Sequence, residues 1–418
     1  MADTLDSLET RPHTERERDL MERLPLLVAQ AQSAAGWNRI LVGVDASRVN
    51  SREALARLPV TRKSDLKALQ SEAKPFGGLN STEPGKLGRI FMSPGPIFDP
   101  EGRSGDWWRF SRPMYACGVR AGGLIQNCFS YHFTPAAFMV EGGAQRIGCT
   151  VIPAGAGQTE LQVQAMAELK PDTYIGTPSF LKIIIEKAAE IGADISSVKR
   201  AMMGAEALPE SLRQWFAEHG VPEVTQTYAS ADAGSIAYET RSNGKLDPGM
   251  VLDEDVILEI VRPGTGEPVA PGEVGEVVVT LFNPDYPLVR FATGDLSAVL
   301  LDVQPAAGGR TNTRIKGWMG RADQTTKVRA MFVHPSQVHE ITRRHPGVGK
   351  ARLVVSGKIA DEVMTLHCEI DDPELRHKAP DIIATIREIT KLRGEVQFAA
   401  RGTLPNDGKI IDDVRDYS

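Results

Sequence analysis

Apolar residues recur at helical spacing over residues 20–35 and again over 51–58, where Ser51 stands as an N-cap. A third short amphipathic helix is predicted over 61–70, after Pro59. Between 118 and 190 apolar runs alternate with helical patterns. Strand character falls at 122–131, 150–153 and 173–176, and helical character at 158–169 and 178–191. A strand over 199–204 and a helix over 209–219 continue the series. This β–α alternation predicts a largely parallel sheet covered by helices.

The texture changes after Gly234. β-branched runs at 256–261, 275–281 and 296–301 are separated by the turns Pro263-Gly264 and Pro271-Gly272, which predicts a β-rich subdomain over about 240–318. A smaller α+β unit follows, with strands near 351–356, 363–370 and 395–399, a helix over 380–392 and an exposed tail over 402–418. The expected fold class is α/β. A large N-terminal domain (1–318) has helix-covered, mainly parallel sheets and the β-rich subdomain; a small α+β C-terminal domain spans 319–418.

Length supports that division, because 418 residues exceed one ordinary core. A net charge of −6 argues against a broad nucleic-acid surface, which needs clustered Lys and Arg. The first twenty residues are polar and charged, and no stretch approaches the roughly 18 apolar residues of a membrane span. The expectation is a cytoplasmic protein with no membrane or nucleic-acid partner. Cys117, Cys128, Cys149 and Cys368 are scattered with no CxxC pair, which fits reduced thiols and neither a disulfide frame nor a zinc site.

Taken singly, the polar motifs say little. Thr293-Gly294-Asp295 reads as a turn with an Asx hydrogen bond. Gly320-Arg321-Ala322-Asp323 reads as a polar loop, and Lys409 in LPNDGK as a solvated lysine. A carboxylate such as Asp295 also suits a vicinal diol, because it offers two acceptor oxygens.

Order and spacing add more. YPLVRFATGD, then GRADQTTKVRAMFVHPSQV, then LPNDGKIIDD are similar to three successive signatures of the adenylate-forming superfamily. LARLPVTRKSDLKALQ with PFGGL, the stretch GAQRIGCTVIPAGAGQTELQVQAMAELKPDTYIGTPSFL, and GAEALPESLRQ narrow the resemblance to the phenylacetate–coenzyme A ligase family. It runs from about Arg23 to Asp413.

The resemblance implies an ATP-dependent carboxylate–thiol ligase that forms an acyl adenylate and then an acyl-CoA. An aromatic or arylacetic acid is its expected substrate class, with ATP/AMP, magnesium and coenzyme A as cofactors and co-substrates. By the same resemblance Gly204, Ala205 and Glu206 border the adenine, Tyr228, Ala229 and Ser230 lie beside it, Asp295 holds the ribose and Arg321 contacts ribose or phosphate. Asp323 is the hinge of a mobile C-terminal domain. Lys409 bridges the substrate carboxylate and the α-phosphate, where an ammonium offsets the repulsion between two anions as charge builds in the transition state. Tyr131 and His132 fall beside the acid, although core packing of an aromatic strand explains the same residues. Relatives are often dimers, which implies a homodimer by analogy.

The phosphate loop departs from the pattern. Where the family reads SSGTTGKP, this chain reads Ser93-Pro94-Gly95-Pro96-Ile97-Phe98-Asp99-Pro100, keeping Ser93 and Gly95 in place. Pro94 and Pro96 remove backbone donors, and Asp99 stands where the lysine belongs. An anion there opposes triphosphate, with Arg103 or a magnesium ion on Asp99 as the available compensation. After Tyr228 the family's metal-proximal glutamate is replaced by Asp232, a candidate magnesium contact on a shorter arm. No thiols occupy the positions of the zinc cluster found in some relatives, so no zinc is expected. Two alternatives stay open: a non-catalytic relative that binds a nucleotide or acyl adenylate, and an adenylating enzyme with a non-CoA acceptor.

Overall fold

The computed structural model describes residues 4–93, 95–301, 308–319, 321–322, 324, 326–329, 331–333, 335–358, 361–405 and 409–415. Asp323 lies outside the described residues, as do Pro94 and positions 406–408 of the LPNDGK motif. The chain divides into two compact units, Met1–Gly320 and Arg321–Ser418.

The helix Pro178–Ile191 shows how local sequence and core agree in the first unit. Thr177 caps it by accepting from Phe180 N, Pro178 occupies the first turn, and Gly192 ends it at φ +65°. Its buried positions Leu181, Ile184, Ile185 and Ala188 repeat at helical spacing. Burying each of the three larger side chains stabilises by about 2 kcal/mol, and a polar residue at Leu181 would break the face.

Strand Thr173–Gly176 runs under this helix, fully buried, in an eight-stranded sheet. Thr150–Ile152, Leu124–Asn127, Thr173–Gly176, Arg200–Met203 and Glu223–Ser230 are parallel neighbours. Gly234–Ser242, Lys245–Leu252 and Arg314–Ile315 extend the same sheet antiparallel. The β-rich texture after Gly234 thus divides between this sheet and a second one. In the second, Val256–Val261, Gly275–Leu281 and Leu288–Ser297 pair antiparallel in sequence.

Four local expectations change. Residues 61–70 do not form one helix. Thr61–Arg62 is a short strand parallel to Leu288–Ser297, pairing Thr61 with Phe291, and the helix is Leu66–Glu72. Thr61 is β-branched and buried, so tertiary pairing outweighs helical spacing. Thr293-Gly294-Asp295 is not a free turn but a bulge within Leu288–Ser297: Ala292 pairs with Val278 and Leu296 with Glu276, leaving three residues opposite Val277. Gly294 at φ +76° supplies the conformation such a bulge needs. The collinear phosphate segment folds as a hairpin of Arg89–Ser93 with Ile97–Glu101. The tail is not wholly exposed either, since Ile411–Asp413 pairs parallel with Val348–Lys358 and Ile411 is buried.

The second unit has its own four-stranded sheet, ordered Glu395–Ala400, Asp361–Ile370, Val348–Lys358, Ile411–Asp413. Helices Pro335–Arg344 and Ala379–Thr390 accompany it, and Ile382 and Ile386 join Leu353, Val355 and Leu366 in its core. All four cysteines are unpaired, and Cys117, Cys128 and Cys368 are buried. Among the described residues no helix is long and apolar enough to cross a membrane.

Candidate active site

The bulge in Leu288–Ser297 turns Asp295 toward the eight-stranded sheet. Tyr228, near the end of Glu223–Ser230, donates its hydroxyl to Asp295 Oδ2 at 2.9 Å. Trp318 Nε1 donates to Asp295 Oδ1 at 3.1 Å, and the Asp295 amide bonds Thr293 Oγ1 at 3.2 Å. Tyr228 and Trp318 thus approach the carboxylate from its two oxygens. Sequence reading found Tyr228 and Asp295 but missed Trp318, whose only signal was an indole just beyond the large domain's last strand.

Gly204 follows the strand Arg200–Met203 and is buried, its amide bonded to Gly176 O at 3.1 Å. A Cβ there would lie 3.3 Å from the Phe129 ring and 3.5 Å from Thr227 Cγ2, so a larger residue would press on Phe129. Ala205 is exposed at φ +65°. Glu206 is half-buried, and its Oε2 accepts from Ser179 N at 3.2 Å, in the first turn of Pro178–Ile191. An anion is favoured at that helix end. Ala229 and Ser230 are half-buried, with Ser230 Oγ receiving Ala233 N at 3.1 Å.

The phosphate-loop region is rebuilt. Asp99 is 1% exposed, on the inner face of its hairpin and against Asp232. Lys63, one residue beyond the short strand Thr61–Arg62, brings Nζ to 2.5 Å from Asp232 Oδ2. Burial and then the Asp232 charge push the Asp99 carboxyl well above the usual carboxylate range, against the pull of Lys63 and Ser93. Among the described residues no donor reaches Asp99 Oδ2 or Asp232 Oδ1. Asp99 is therefore enclosed within the fold. Arg103 offers no compensation at this point; its Nε donates to Lys86 O at 3.1 Å on the surface. Ser93 is buried with Oγ 3.3 Å from Ile97 O, and Gly95 is exposed at the hairpin tip.

Asp232 does not fit a magnesium ion as it stands, since its side chain is 0% exposed and already holds an ammonium. Among the described residues no cluster of His, Cys, Asp or Glu is arranged for a metal ion. Lys63 went unrecognised as a site residue, although LARLPVTRKSDLKALQ contains it.

On the acyl side the two sequence candidates separate. Tyr131 is half-buried, and its hydroxyl donates to Glu141 Oε1 at 2.6 Å and accepts from Asn127 Nδ2 at 2.9 Å. His132 is exposed, its ring edge-on to Phe133 at 4.6 Å. In the second unit Arg321 is half-buried, and Lys409 is 52% exposed with Nζ 2.9 Å from Asp412 Oδ1. Lys409 lies two residues before the strand Ile411–Asp413.

The chain is similar to several known proteins. The family model "AMP-binding enzyme" matches residues 121–281. A phenylacetate–coenzyme A ligase of Thermus thermophilus is 28% identical over 391 residues, covering 90% of this chain and 86% of that protein. Another from Aromatoleum evansii is 27% identical over 340 residues, covering 79% and 75%. Among solved structures, a 2-hydroxyisobutyryl-CoA ligase in complex with 2-HIB-AMP and CoA shares the fold, with a TM-score of 0.82 at 22% identity over 98% of this chain and 92% of that one. Residues 121–281 thus match the AMP-binding enzyme family, and over most of its length the chain is similar to phenylacetate–coenzyme A ligases.

Proposed function

We propose that this protein is an AMP-forming acid–CoA ligase acting on an aromatic or arylacetic acid. The observation that carries the reading is Asp295, a carboxylate whose two oxygens are oriented by Tyr228 and Trp318. A carboxylate so held suits two ribose hydroxyls, because it offers two acceptor oxygens. Similarity to phenylacetate–coenzyme A ligases over most of the chain supports the chemistry, and the names of those relatives support the acid class.

In the first half-reaction the substrate carboxylate attacks the α-phosphorus of ATP, and pyrophosphate leaves. Lys409 is the proposed ammonium between the two anions, where its charge counts most as the transition state forms. In the second, the thiol of coenzyme A attacks the acyl carbonyl and AMP leaves. Asp323 remains the proposed hinge between these steps, Arg321 the proposed ribose or phosphate contact, and Gly204 to Glu206 the proposed adenine border. Magnesium would neutralise phosphate charge when bound; Asp232 is committed to Lys63, and no step here depends on it.

The test is AMP release from purified protein with ATP, coenzyme A and a panel of carboxylic acids. Turnover with arylacetic acids is expected. AMP binding without turnover on any acid would overturn the ligase reading in favour of a nucleotide-binding relative. AMP-forming turnover that yields no thioester would overturn coenzyme A as the acceptor.

A further inference from the structure

Tyr131 has one hydroxyl proton, and the structure shows where it goes. The phenol donates it to Glu141 Oε1 at 2.6 Å and receives Asn127 Nδ2 at 2.9 Å. Asn127 ends the strand Leu124–Asn127, is 0% exposed, and is pinned by bonds from Nδ2 to Ala137 O at 3.0 Å and from Phe129 N to Oδ1 at 3.3 Å. Glu141 comes from the helix Ala136–Ile147. Two separate elements thus hold one hydroxyl. The ring is held too, edge-on to Phe138 at 5.4 Å; Phe138 in turn packs on Phe91 at 5.3 Å and beneath the Arg89 guanidinium at 4.5 Å.

We propose that Glu141, with Asn127, sequesters the Tyr131 hydroxyl, so that the acyl wall offers the acid an aromatic ring and no hydroxyl donor, and that Glu141 thereby sets specificity for acids with an apolar aryl tail. The inference rests on the ligase reading and on Tyr131 bordering the acid. A phenol-to-carboxylate hydrogen bond is charge-assisted, and a neutral substrate oxygen cannot compete for that proton. An acid carrying a para hydroxyl would bury that group beside a tyrosine with nothing to give it. Unmatched polar groups in a buried site are what enzymes discriminate against most strongly.

The experiment compares kcat/KM for an unsubstituted arylacetic acid and its 4-hydroxy counterpart in the wild type, Glu141→Gln, Glu141→Leu and Tyr131→Phe. The wild type is expected to favour the unsubstituted acid. Glu141→Gln keeps an acceptor for the phenol proton without the charge and should narrow the ratio less than Glu141→Leu. Glu141→Leu releases the proton and should narrow the ratio by about tenfold, mainly through a lower KM for the hydroxylated acid. Tyr131→Phe removes a hydroxyl that is already sequestered, so its ratio should match the wild type whatever its absolute rate.

A wild-type ratio in a folded Glu141→Leu, equal shifts in the Gln and Leu variants, or a changed ratio in Tyr131→Phe would each overturn the proposal. Tyr131→Phe decides the matter if Glu141→Leu does not fold. Absence of AMP release by the wild type with every acid sinks the ligase reading itself; turnover with the wrong ratios sinks only this inference.

Discussion

Lys63 and Asp232, 169 positions apart in the chain, meet with Nζ 2.5 Å from Oδ2 beside the buried carboxyl of Asp99. The lysine reaches this point because Thr61–Arg62 joins the edge of the second sheet, and the aspartate because it lies in the turn between Glu223–Ser230 and Gly234–Ser242. The hairpin that replaces the phosphate loop brings the third member.

Removing the ammonium leaves a charge that has no water to turn to. Lys63→Ala is expected to lower unfolding free energy by about 3 kcal/mol, and Asp232→Asn in the same background to recover part of the loss. Urea unfolding of the two single variants and the double variant checks this; strictly additive effects would refute the coupling.

The Asp99 carboxyl gives a second expectation, in pH. Its folded pKa is raised, so the native state binds a proton that the unfolded chain has released. Its stabilising contribution is complete below the ordinary carboxylate value of 3.8 and is lost as pH rises through the folded value. Asp99→Asn keeps a donor toward Asp232 without titrating. Its stability should fall less steeply with rising pH than the wild type's, read from thermal melts across the range.

On the nucleotide side, Tyr228→Phe and Trp318→Phe each remove one donor from Asp295. Each should reduce kcat/KM for ATP by about tenfold, corresponding to one hydrogen bond to a charged group. The KM for the acid should stay unchanged. Steady-state kinetics with each substrate varied in turn separates the two, and a loss confined to the acid would contradict the assignment.

Lys409→Ala should slow adenylation by at least about a hundredfold while thioester formation from a supplied acyl adenylate persists. Assaying the half-reactions separately tests this, and equal losses in both would remove Lys409 from its proposed role. Its side chain is 52% exposed, so the substitution is not expected to disturb folding.

Where the sequence was readable, each level of the structure agreed with the next. Residues 173–191 announced a strand and a helix because Thr177, Pro178 and Gly192 punctuate them and the apolar spacing matches the buried face. Tyr228 and Asp295 were legible as motif residues. What stayed hidden depends on pairings distant in sequence. Thr61–Arg62 is a strand only because Leu288–Ser297 lies beside it, and Ile411–Asp413 only because Val348–Lys358 does. Pro94 and Pro96 read as positions without a backbone donor; Arg89–Ser93 nevertheless pairs with Ile97–Glu101, since Pro96 lies outside that ladder. Lys63, Trp318 and Glu141 carried no local signal, because each acts through a partner brought by another element.

The bulge at Gly294 has a consequence for the entropy of ligand binding. Asp295 comes from one sheet, Tyr228 from another and Trp318 from the segment that follows, and all three are already joined in the free protein. The freezing of the aspartate rotamer therefore belongs to folding and is not repeated when a ligand arrives. A ribose seated there would act as a cross-link between two layers of the fold. By linkage, adenosine alone should raise the melting temperature in proportion to the logarithm of its concentration above Kd, with neither phosphate nor acid present.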